Sequence, residues 1–463
     1  MRLPEPKPIA RLLGALAFLA TLATAPLAAQ EAKGDVVLSS SSLRLALMQL
    51  ATSVDANVSD LIEAGPGEAL YVQSGTATLA ELADAADSEG VERAVVRTDS
   101  GFRLTRPLVV LQGARLDITE GQELTLDRTQ GAFILALGAV SVEGATLRAE
   151  GTPYDGIPGF KPFLAGVGQR SLSITDSTLS DLGYGGSAFT GGVFVGAQGL
   201  LGNGSANPLT GNDFSNLRSV TLSQLDDAVI RDNRFAFFRG STLRMVDGAD
   251  ATITDNLFSG TRGAHALHLS GLRSAQITSN TFDFGGGKAL RIDDNATRVT
   301  LADNDIAGFE GTAVTVAEGA GCVRIRNNTV AENIGGGIAL DMAGTVILDE
   351  NTIAANRGAG LAINGQPADS TAFVFANRFD GNRMGVRGTG LATVRLARND
   401  LSDQMPRLLA GDLDQVTPTY LDAARGGARP DIVVDKVSAR VSDSLRKDAA
   451  ARAFAACGDE ETL

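Results

Sequence analysis

A short sequence motif recurs between Asp227 and Leu401, and it limits the folds that this chain can adopt. Each copy holds an aliphatic residue, two mostly polar residues, an asparagine, a variable residue and an apolar residue. The asparagines of the copies are Asn233, Asn256, Asn280, Asn304, Asn328, Asn351, Asn377 and Asn399. They follow one another at intervals of 23, 24, 24, 24, 23, 26 and 22 residues. A nearly fixed period of this length predicts a solenoid, in which each repeat forms one coil that cannot bury its apolar face alone.

The residues inside each period indicate which solenoid forms. Short apolar–polar alternations, such as 251–254 and 267–269, are separated by Gly, Asn and Asp, which predicts strands joined by tight corners. No helix-length periodic segment lies between them, which argues against leucine-rich repeats, and the period is too short for a propeller blade. We therefore predict an all-β fold, a right-handed parallel β-helix. We expect its asparagines to adopt a left-handed corner conformation and to stack as a hydrogen-bonded ladder.

The first 29 residues have the pattern of a secretory signal peptide. Basic residues precede an apolar run, Leu12–Leu22, and small residues follow up to Ala29. The run is too short to span a bilayer, so the sequence predicts a periplasmic protein without membrane insertion.

The rest of the chain divides into three parts that differ in their sequence pattern. Residues 30–105 are predicted to form a small N-terminal α/β cap, 106–405 the β-helix, and 406–463 a C-terminal cap or tail. Within the tail, Val437–Ala456 alternates charge and alanine as an exposed helix would. The helices expected in the cap are Leu43–Ala51 and Thr78–Ala86.

Composition excludes several classes of function. With 40 basic and 54 acidic residues the net charge is −14, which disfavours binding to nucleic acid or to an anionic membrane. The two cysteines, Cys322 and Cys457, offer no zinc site. We expect Cys322 to be a small core residue, and a bridge to Cys457 in an oxidising compartment is the alternative. The sequence indicates no metal and no cofactor. Calcium ligands that converge from separate coils remain an open alternative.

One outward-facing column can be predicted from the repeats. After each asparagine corner comes a triplet with apolar residues at its first and third positions, so the middle residue points outward. Successive coils place these middle residues about 4.8 Å apart. The column reads Arg244, His268, Arg291, Thr315, Ala339 and Ala362.

Further polar residues flank this column. One side carries Asp247, Ser270, Asp293 and Asp294, and the other carries Arg262, His265 and Lys288. Such charges can simply pair across a solvated face, where each pair contributes little. They can also form a groove for an acidic polymer, because the planar fork of arginine binds carboxylates bidentately.

Three segments are more specific than the coil repeat: RPLVVLQGARLDI (106–118), GFKPFLAGVGQRSLSITDSTLSDLGYGGSAF (159–189) and TDNLFSGTRGAHALHLS (254–270). They resemble the periplasmic mannuronan C5-epimerases of alginate biosynthesis. The resemblance implies that the protein acts on an acidic polysaccharide by removing the C5 proton of a uronate and returning a proton to the opposite face. It also implies contact with proteins of a periplasmic export complex.

The resemblance breaks at the family's catalytic strand, Asp-Pro-His-Asp. This chain reads Arg244-Met245-Val246-Asp247 there, so only the last carboxylate is kept and valine replaces the expected base. The family's arginine on the next coil falls on Gly271, with Arg273 two residues later, whereas His265 matches a histidine of the family.

The sequence nevertheless predicts a site around the column. We predict His268 or His265 as the base and Asp247 as the residue that orients it. The residues predicted to bind substrate are Arg244, Arg262, Arg273, Lys288 and Arg291. A uronate lyase would need the same first step. A non-catalytic polysaccharide-binding protein and a periplasmic scaffold are the alternatives that need no base.

Overall fold

The structure is a computed structural model that describes residues 37–442, except 54–57, 92, 169, 198–203, 206 and 437. The predicted signal peptide lies outside this range. In chain order the first strands are β1 (Val37–Ser42), β2 (Glu68–Thr78), β3 (Val95–Arg97), β4 (Phe102–Leu104), β5 (Leu108–Val110), β6 (Ala114–Ile118), β7 (Glu123–Asp127), β8 (Ile134–Ala136), β9 (Ala139–Glu143), β10 (Thr146–Glu150), β11 (Leu164–Val167), β12 (Leu172–Thr175), β13 (Thr178–Ser180), β14 (Gly192–Gly196), β15 (Gly204–Ser205), β16 (Leu209–Thr210), β17 (Asp213–Ser215), β18 (Ser219–Ser223), β19 (Leu225–Asp226), β20 (Val229–Arg231) and β21 (Arg234–Ala236).

The remaining strands are β22 (Leu243–Val246), β23 (Ala249–Thr254), β24 (Leu257–Thr261), β25 (His265–Ser270), β26 (Arg273–Thr278), β27 (Thr281–Gly285), β28 (Lys288–Asp293), β29 (Thr297–Ala302), β30 (Asp305–Phe309), β31 (Thr312–Val316), β32 (Gly321–Arg326), β33 (Thr329–Ala331), β34 (Gly336–Asp341), β35 (Val346–Asp349), β36 (Thr352–Ala354), β37 (Ala359–Asn364), β38 (Thr371–Phe375), β39 (Arg378–Asp380), β40 (Met384–Thr389), β41 (Thr393–Ala397), β42 (Arg407–Gly411), β43 (Asp431–Asp435) and β44 (Ser438–Ser442). The α-helices are α1 (Leu43–Ser53), α2 (Ser59–Ala64), α3 (Leu79–Ser88) and α4 (Thr417–Ala423), and a 3₁₀ turn covers Asp414–Val416.

Three parallel sheets wind into a right-handed β-helix, as the repeats predict. Sheet A holds β5, β8, β11, β14, β18, β22, β25, β28, β31, β34, β37, β40 and β42. Sheet B follows it in each coil, for example as β23, β26 and β29, and sheet C comes next, as β24, β27 and β30. Each repeat thus supplies one strand to every face.

The predicted asparagine ladder lies at the corner between sheets B and C. It runs without a break from Asn212 to Asn399, and each side-chain Oδ1 accepts the backbone N–H of the preceding ladder residue, as Asn328 does from Asn304 at 3.0 Å. A second ladder, which the sequence analysis missed, joins Asn333, Asn356, Asn382 and Gln404. The ladders satisfy buried backbone groups at corners where no strand can do so.

One detail of the asparagine prediction is wrong. The left-handed conformation belongs to the residue before the ladder asparagine, with φ of +57° at Asp232, +55° at Asp255 and +57° at Asp303. The asparagine itself keeps negative φ, which directs its amide inward along the stack.

The interior is apolar along the whole stack. Leucine, isoleucine and valine from all three sheets form one continuous core. Inside sheet C, Phe214, Phe235, Phe258 and Phe282 stack in sequence with ring centroids 5.2, 4.8 and 4.7 Å apart.

The N-terminal helices lie on the outside of sheet A. Leu43, Leu47 and Leu50 of α1 and Leu61 of α2 belong to a second apolar cluster with residues of the first coils. That cluster also takes in the loop residues Ile157, Phe160, Tyr184 and Phe189. We call α1, α2 and these loop residues the helical roof. The outer column of sheet A beneath it is apolar and reads Tyr71, Val109, Leu135, Ala165 and Phe194.

The first coil begins inside the segment that the sequence assigns to a separate cap. Strand β2 pairs in parallel with β5 and β6 and so takes part in both sheet A and sheet B. Helix α3 buries Leu79 and Leu82 in the main core. The predicted boundary at residue 105 therefore does not coincide with a break in the sheets. Both predicted helices are present, as α1 and α3.

The tail differs from its prediction. Residues 438–442 form β44, which pairs antiparallel with β43, and β43 pairs antiparallel with β41 of sheet B. The helix predicted from Val437 is therefore wrong over these residues, because Ala439 and Val441 alternate with polar residues at the strand period as well. The rest of that segment lies outside the described residues.

Cys322 also differs from its prediction as a plain core residue. It is half-buried at the start of β32 and disulfide-bonded. The chain's other cysteine, Cys457, lies outside the described residues.

Candidate functional site

The strand register confirms the outward column of sheet A. Arg244 lies opposite His268, His268 opposite Arg291, and Arg291 opposite Thr315, and the series continues through Ala339 to Ala362. The apolar neighbours of these residues on each strand are buried in the core, and two of them, Leu267 and Leu269, are 0% exposed.

A carboxylate on the next coil holds the imidazole of His268. The Nε2 of His268 lies 2.9 Å from Oδ1 of Asp293, and the Nε of Arg291 donates to the other oxygen of the same carboxylate. Asp293 is buried, so burial acts to raise its pKa, but the hydrogen bonds from Arg291 and His268 hold that pKa below its usual value. Asp293 is therefore a carboxylate at neutral pH.

This hydrogen bond determines the tautomer of His268. An ionised carboxylate can only accept, so Nε2 of His268 carries the proton and Nδ1 keeps its lone pair. Burial lowers the pKa of His268 more than the bond to Asp293 raises it, and the positive charges of Arg244 and Arg291 lower it further. The ring is thus neutral at pH 7 and presents one basic nitrogen.

The second histidine packs against the first. The rings of His265 and His268 have centroids 4.9 Å apart and are tilted by 40°. The Nδ1 of His265 lies 3.4 Å from the hydroxyl of Ser241. Burial, then the proximity of His268, Arg291 and Lys288, lowers the pKa of His265 to about 4.

Arg244 occupies the coil before His268 and has no partner within the part of the chain that the structure describes. Its side chain is half-buried, and its Nε is buried without a hydrogen bond. A guanidinium in this state is costly unless a ligand or water satisfies it. Its planar fork suits a carboxylate.

Lys288 joins the cluster, whereas three other predicted residues do not. Lys288 lies opposite His265 in the register, and its pKa is lowered by burial and by Arg291. Arg262 is exposed at the corner before β25, and Arg273 begins β26 on sheet B. Asp247 is exposed at a corner with φ of +53°. In the described part of the chain, none of these three side chains hydrogen-bonds or pairs with a member of the cluster.

Two residues of the face were missed. Asp293, which holds His268, was placed near the column but given no role. Arg387 extends the column one coil beyond Ala362, and its Nη2 donates to Oδ1 of Asn364 at 3.2 Å. The triplet alignment overlooked it because the third residue of its triplet is Gly388. Arg387 stands 10 residues after Asn377, close to the 11 between Asn351 and Ala362, so counting from the ladder would have found it.

The described residues contain no group of three or more His, Cys, Asp or Glu side chains that could hold a metal ion. Within the same part of the chain, no helix is long and apolar enough to cross a membrane.

Comparison with known proteins identifies the class. The family model for the right-handed β-helix region matches residues 165–308 and 265–407, which together exceed half of the chain. The chain therefore belongs to the right-handed β-helix family.

Within this class, the chain is similar to a smaller group of proteins. A mannuronan C5-epimerase of Pseudomonas aeruginosa is 26% identical over 229 residues, which covers 44% of this chain and 39% of that protein. The match thus spans about two fifths of the relative's length. A crystal structure of a double mutant of the periplasmic alginate epimerase AlgG superposes with a TM-score of 0.67 at 15% identity, covering 80% of this chain and 93% of that one. Another AlgG crystal structure gives a TM-score of 0.55 at 14% identity and covers 87% and 99%. The resemblance to mannuronan C5-epimerases that the sequence indicates is confirmed.

Proposed function

We propose that this protein binds an acidic polysaccharide, a polyuronate of the alginate type, over the outer face of sheet A and removes a C5 proton with His268. The observation that carries the proposal is the unpaired guanidinium of Arg244 beside an imidazole held by Asp293. A carboxylate ligand would satisfy Arg244, and it would bring the acidic C–H of the same sugar towards His268, one coil away.

The chemistry follows from the protonation states. The lone pair on Nδ1 of His268 takes the C5 proton, and the electrons of the broken C–H bond delocalise into the uronate carboxylate. Arg244 stabilises the charge that accumulates there, and Asp293 stabilises the imidazolium that forms. An epimerase then adds a proton from solvent to the opposite face of C5, and the imidazolium of His268 loses its proton to solvent. A lyase instead expels the substituent at C4, so both reactions share the first step.

This assignment relocates the base relative to the family pattern. Val246, which stands where the family has its histidine, lies opposite Ser270 in the next strand. His268 is two residues before Ser270 on that same strand. Compared with the family pattern, the imidazole therefore lies one coil further along the stack and at the neighbouring outward position of its strand, on the same face. The residue proposed to orient it is Asp293 in place of Asp247.

Proton NMR of polymannuronate incubated with the purified protein in D₂O tests the activity. We expect the H5 signal of mannuronate to decrease and guluronate signals to appear. Signals of an unsaturated uronate would identify a lyase instead. An unchanged spectrum for every polyuronate tried would contradict a catalytic role.

A variant pair tests the residue assignment. Replacing a general base reduces turnover by about 100-fold or more, so His268→Gln should do so while polymer affinity stays close to that of the wild type. Gln276→Ala, on the exposed face of sheet B, is the control. Unchanged turnover in His268→Gln would rule out His268 as the base.

A non-catalytic polysaccharide-binding protein is the second candidate. Val246 at the family's base position favours it, because valine cannot accept a proton. This candidate predicts binding of the polymer with no change in the NMR spectrum.

A further inference from the structure

The outer face of sheet B changes from exposed to buried along the stack. One outward column starts at Val229, which is 38% exposed, and passes through the exposed side chain of Gln276. Further along the same column, Ile347, Phe373 and Val433 are only 4%, 7% and 4% exposed. Large apolar side chains are therefore shielded from water on a face that the preceding coils leave open to it.

The buried residues of this column point away from the core. Ala372 and Val374 flank Phe373 on its strand and belong to the continuous core. Strand alternation therefore directs Phe373 and Phe375 outward. The two rings have centroids 5.8 Å apart, and Phe375 is itself 6% exposed. The neighbouring strands lie beside these rings in the sheet and do not cross its face, so a further segment must cover them.

The disulfide of Cys322 indicates which segment this is. Cys322 is the second residue of β32, the strand that precedes β35 in sheet B, and it is disulfide-bonded. The other cysteine of the sequence is Cys457, which follows the end of β44 by 15 residues. Strand β44 lies at the opposite end of the buried face. Residues 443–457 therefore start at one end of this face, and a bond to Cys322 would bring their last residue to the other end.

The sequence and length of this segment suit a helix on that face. Ala450, Ala453, Phe454 and Cys457 follow the i, i+3, i+4, i+7 spacing of one helix face. Gly458 follows as a stop signal. Fifteen helical residues span about 22 Å, and a disulfide adds about 5.5 Å between Cα atoms. The five strand spacings from β44 to β32 amount to about 24 Å, whereas an extended chain of the same length would reach about 50 Å.

We infer that residues 443–457 form a helix that covers the outer face of sheet B and is fixed there by a disulfide between Cys457 and Cys322. Phe454 and the alanines beside it exclude water from the buried column. The bond forms by exchange with a disulfide oxidant. The two thiols give up two protons and two electrons, an Sγ–Sγ bond forms, and the disulfide of the oxidant becomes two thiols. The helix lies on a different face from the cluster of sheet A, so the inference holds or fails independently of the proposed function.

Peptide mapping of the purified full chain, kept free of reductant, tests the bond. Trypsin releases Cys322 in peptide 299–324 and Cys457 in peptide 453–463. We expect these two peptides to be joined in the monomer and to separate on reduction. Two alkylated thiols without reduction would overturn the inference. A disulfide-linked dimer on a non-reducing gel would also overturn it and would assign the buried face to a second copy.

Variants that lack the bond test the packing. In a Cys457→Ser background, Phe454→Asp places a charge on the apolar side of the helix. It should raise severalfold both the fluorescence of a hydrophobic dye and the rate at which elastase cleaves among the alanines of the tail. Phe373→Ser, on the sheet side of the same contact, should raise the cleavage rate as well.

Arg452→Asp in the same background is the matched control, because it introduces the same side chain on the opposite side of the helix. Equal cleavage and dye binding in Phe454→Asp and Arg452→Asp would overturn the packing. Thermal melts of each variant check that the coil stack is preserved.

Discussion

At the scale of single residues, the two histidines share a face but are held differently. His268 has an ionised partner in Asp293, whereas the contact of His265 is a serine hydroxyl. At His268 the carboxylate of Asp293 offsets part of the lowering of the pKa by burial. At His265 no interaction of comparable strength offsets it, and the pKa falls to about 4.

The low pKa of His265 makes stability depend on pH. Between its ordinary pKa of 6.5 and its folded value of about 4, the unfolded chain binds a proton that the folded chain does not. The unfolding free energy should therefore fall as the pH is lowered from about 6.5 to about 4. Replacing His265 with glutamine should reduce this dependence, as followed by urea denaturation at several pH values.

His268 has a lowered pKa of its own and contributes to the same dependence, so the variant should retain part of it. Identical pH profiles for the wild type and His265→Gln would show that His265 is not buried in its neutral form. Ser39→Ala, on β1, serves as the control, since it changes no titrating group.

The positions of these residues could be predicted from the sequence, but their partners could not. The triplet pattern placed Arg244, His268 and Arg291 in one column because strand alternation is strict. The selection of Asp293 over Asp247 depends on side-chain direction. Asp293 ends a strand and faces outward, whereas Asp247 stands on a left-handed corner that turns it away. This difference in the backbone conformation of one residue cannot be recognised from the six-residue repeat motif.

At the scale of elements, the asparagine ladder joins neighbouring coils more specifically than the apolar core does. Asn304 accepts two hydrogen bonds from Asn280, and its amide donates to Ile277, Ala302 and Asn328. Removing this one side chain leaves several buried groups on both adjacent coils without partners.

Asn304→Ala should lower the unfolding free energy by about 3 kcal/mol, because each buried group left unsatisfied costs about 1–3 kcal/mol. Its φ is not left-handed, so alanine introduces no backbone strain. Thermal denaturation followed by circular dichroism measures the effect. Asp305→Ala, on the exposed adjacent position, is the control, and equal melting temperatures for the two variants would contradict the ladder's role.

The coil strands were predictable and the helical roof was not. Strand position follows from a local alternation that recurs in every coil. By contrast, the amphipathic helix at Leu43 could equally cover the end of a solenoid or its side. The choice depends on the apolar outer column from Tyr71 to Phe194, which becomes visible only once the first coils are in register.

At the scale of the whole molecule, the net charge opposes the proposed binding, because the protein and a polyuronate are both acidic. The net charge of −14 repels a polyanion at a distance, so binding must depend on the local cations of sheet A. Arg244, Arg291 and Arg387 lie on one column, which concentrates positive charge where the polymer would lie.

Polymer affinity should therefore fall as salt rises, by about tenfold between 0.05 and 0.5 M sodium chloride, since contacts between partly exposed charges are screened within about 10 Å at 0.1 M. A neutral 1,4-linked glucan should not bind at any salt concentration. Affinity that is unchanged by salt, or equal for the neutral chain, would favour the scaffold alternative. Isothermal titration with length-matched chains measures both.

The regular stacking of coils has a consequence for how such a protein can change over generations. Each coil is one sequence repeat, so duplication or loss of a repeat between β31 and β37 would add or remove one complete layer without disturbing the rest. The outward column between His268 and Arg387 would then lengthen or shorten by one strand spacing, about 4.8 Å. The length of this face would then evolve in whole-number steps, through gene segments copied or deleted rather than through point substitutions.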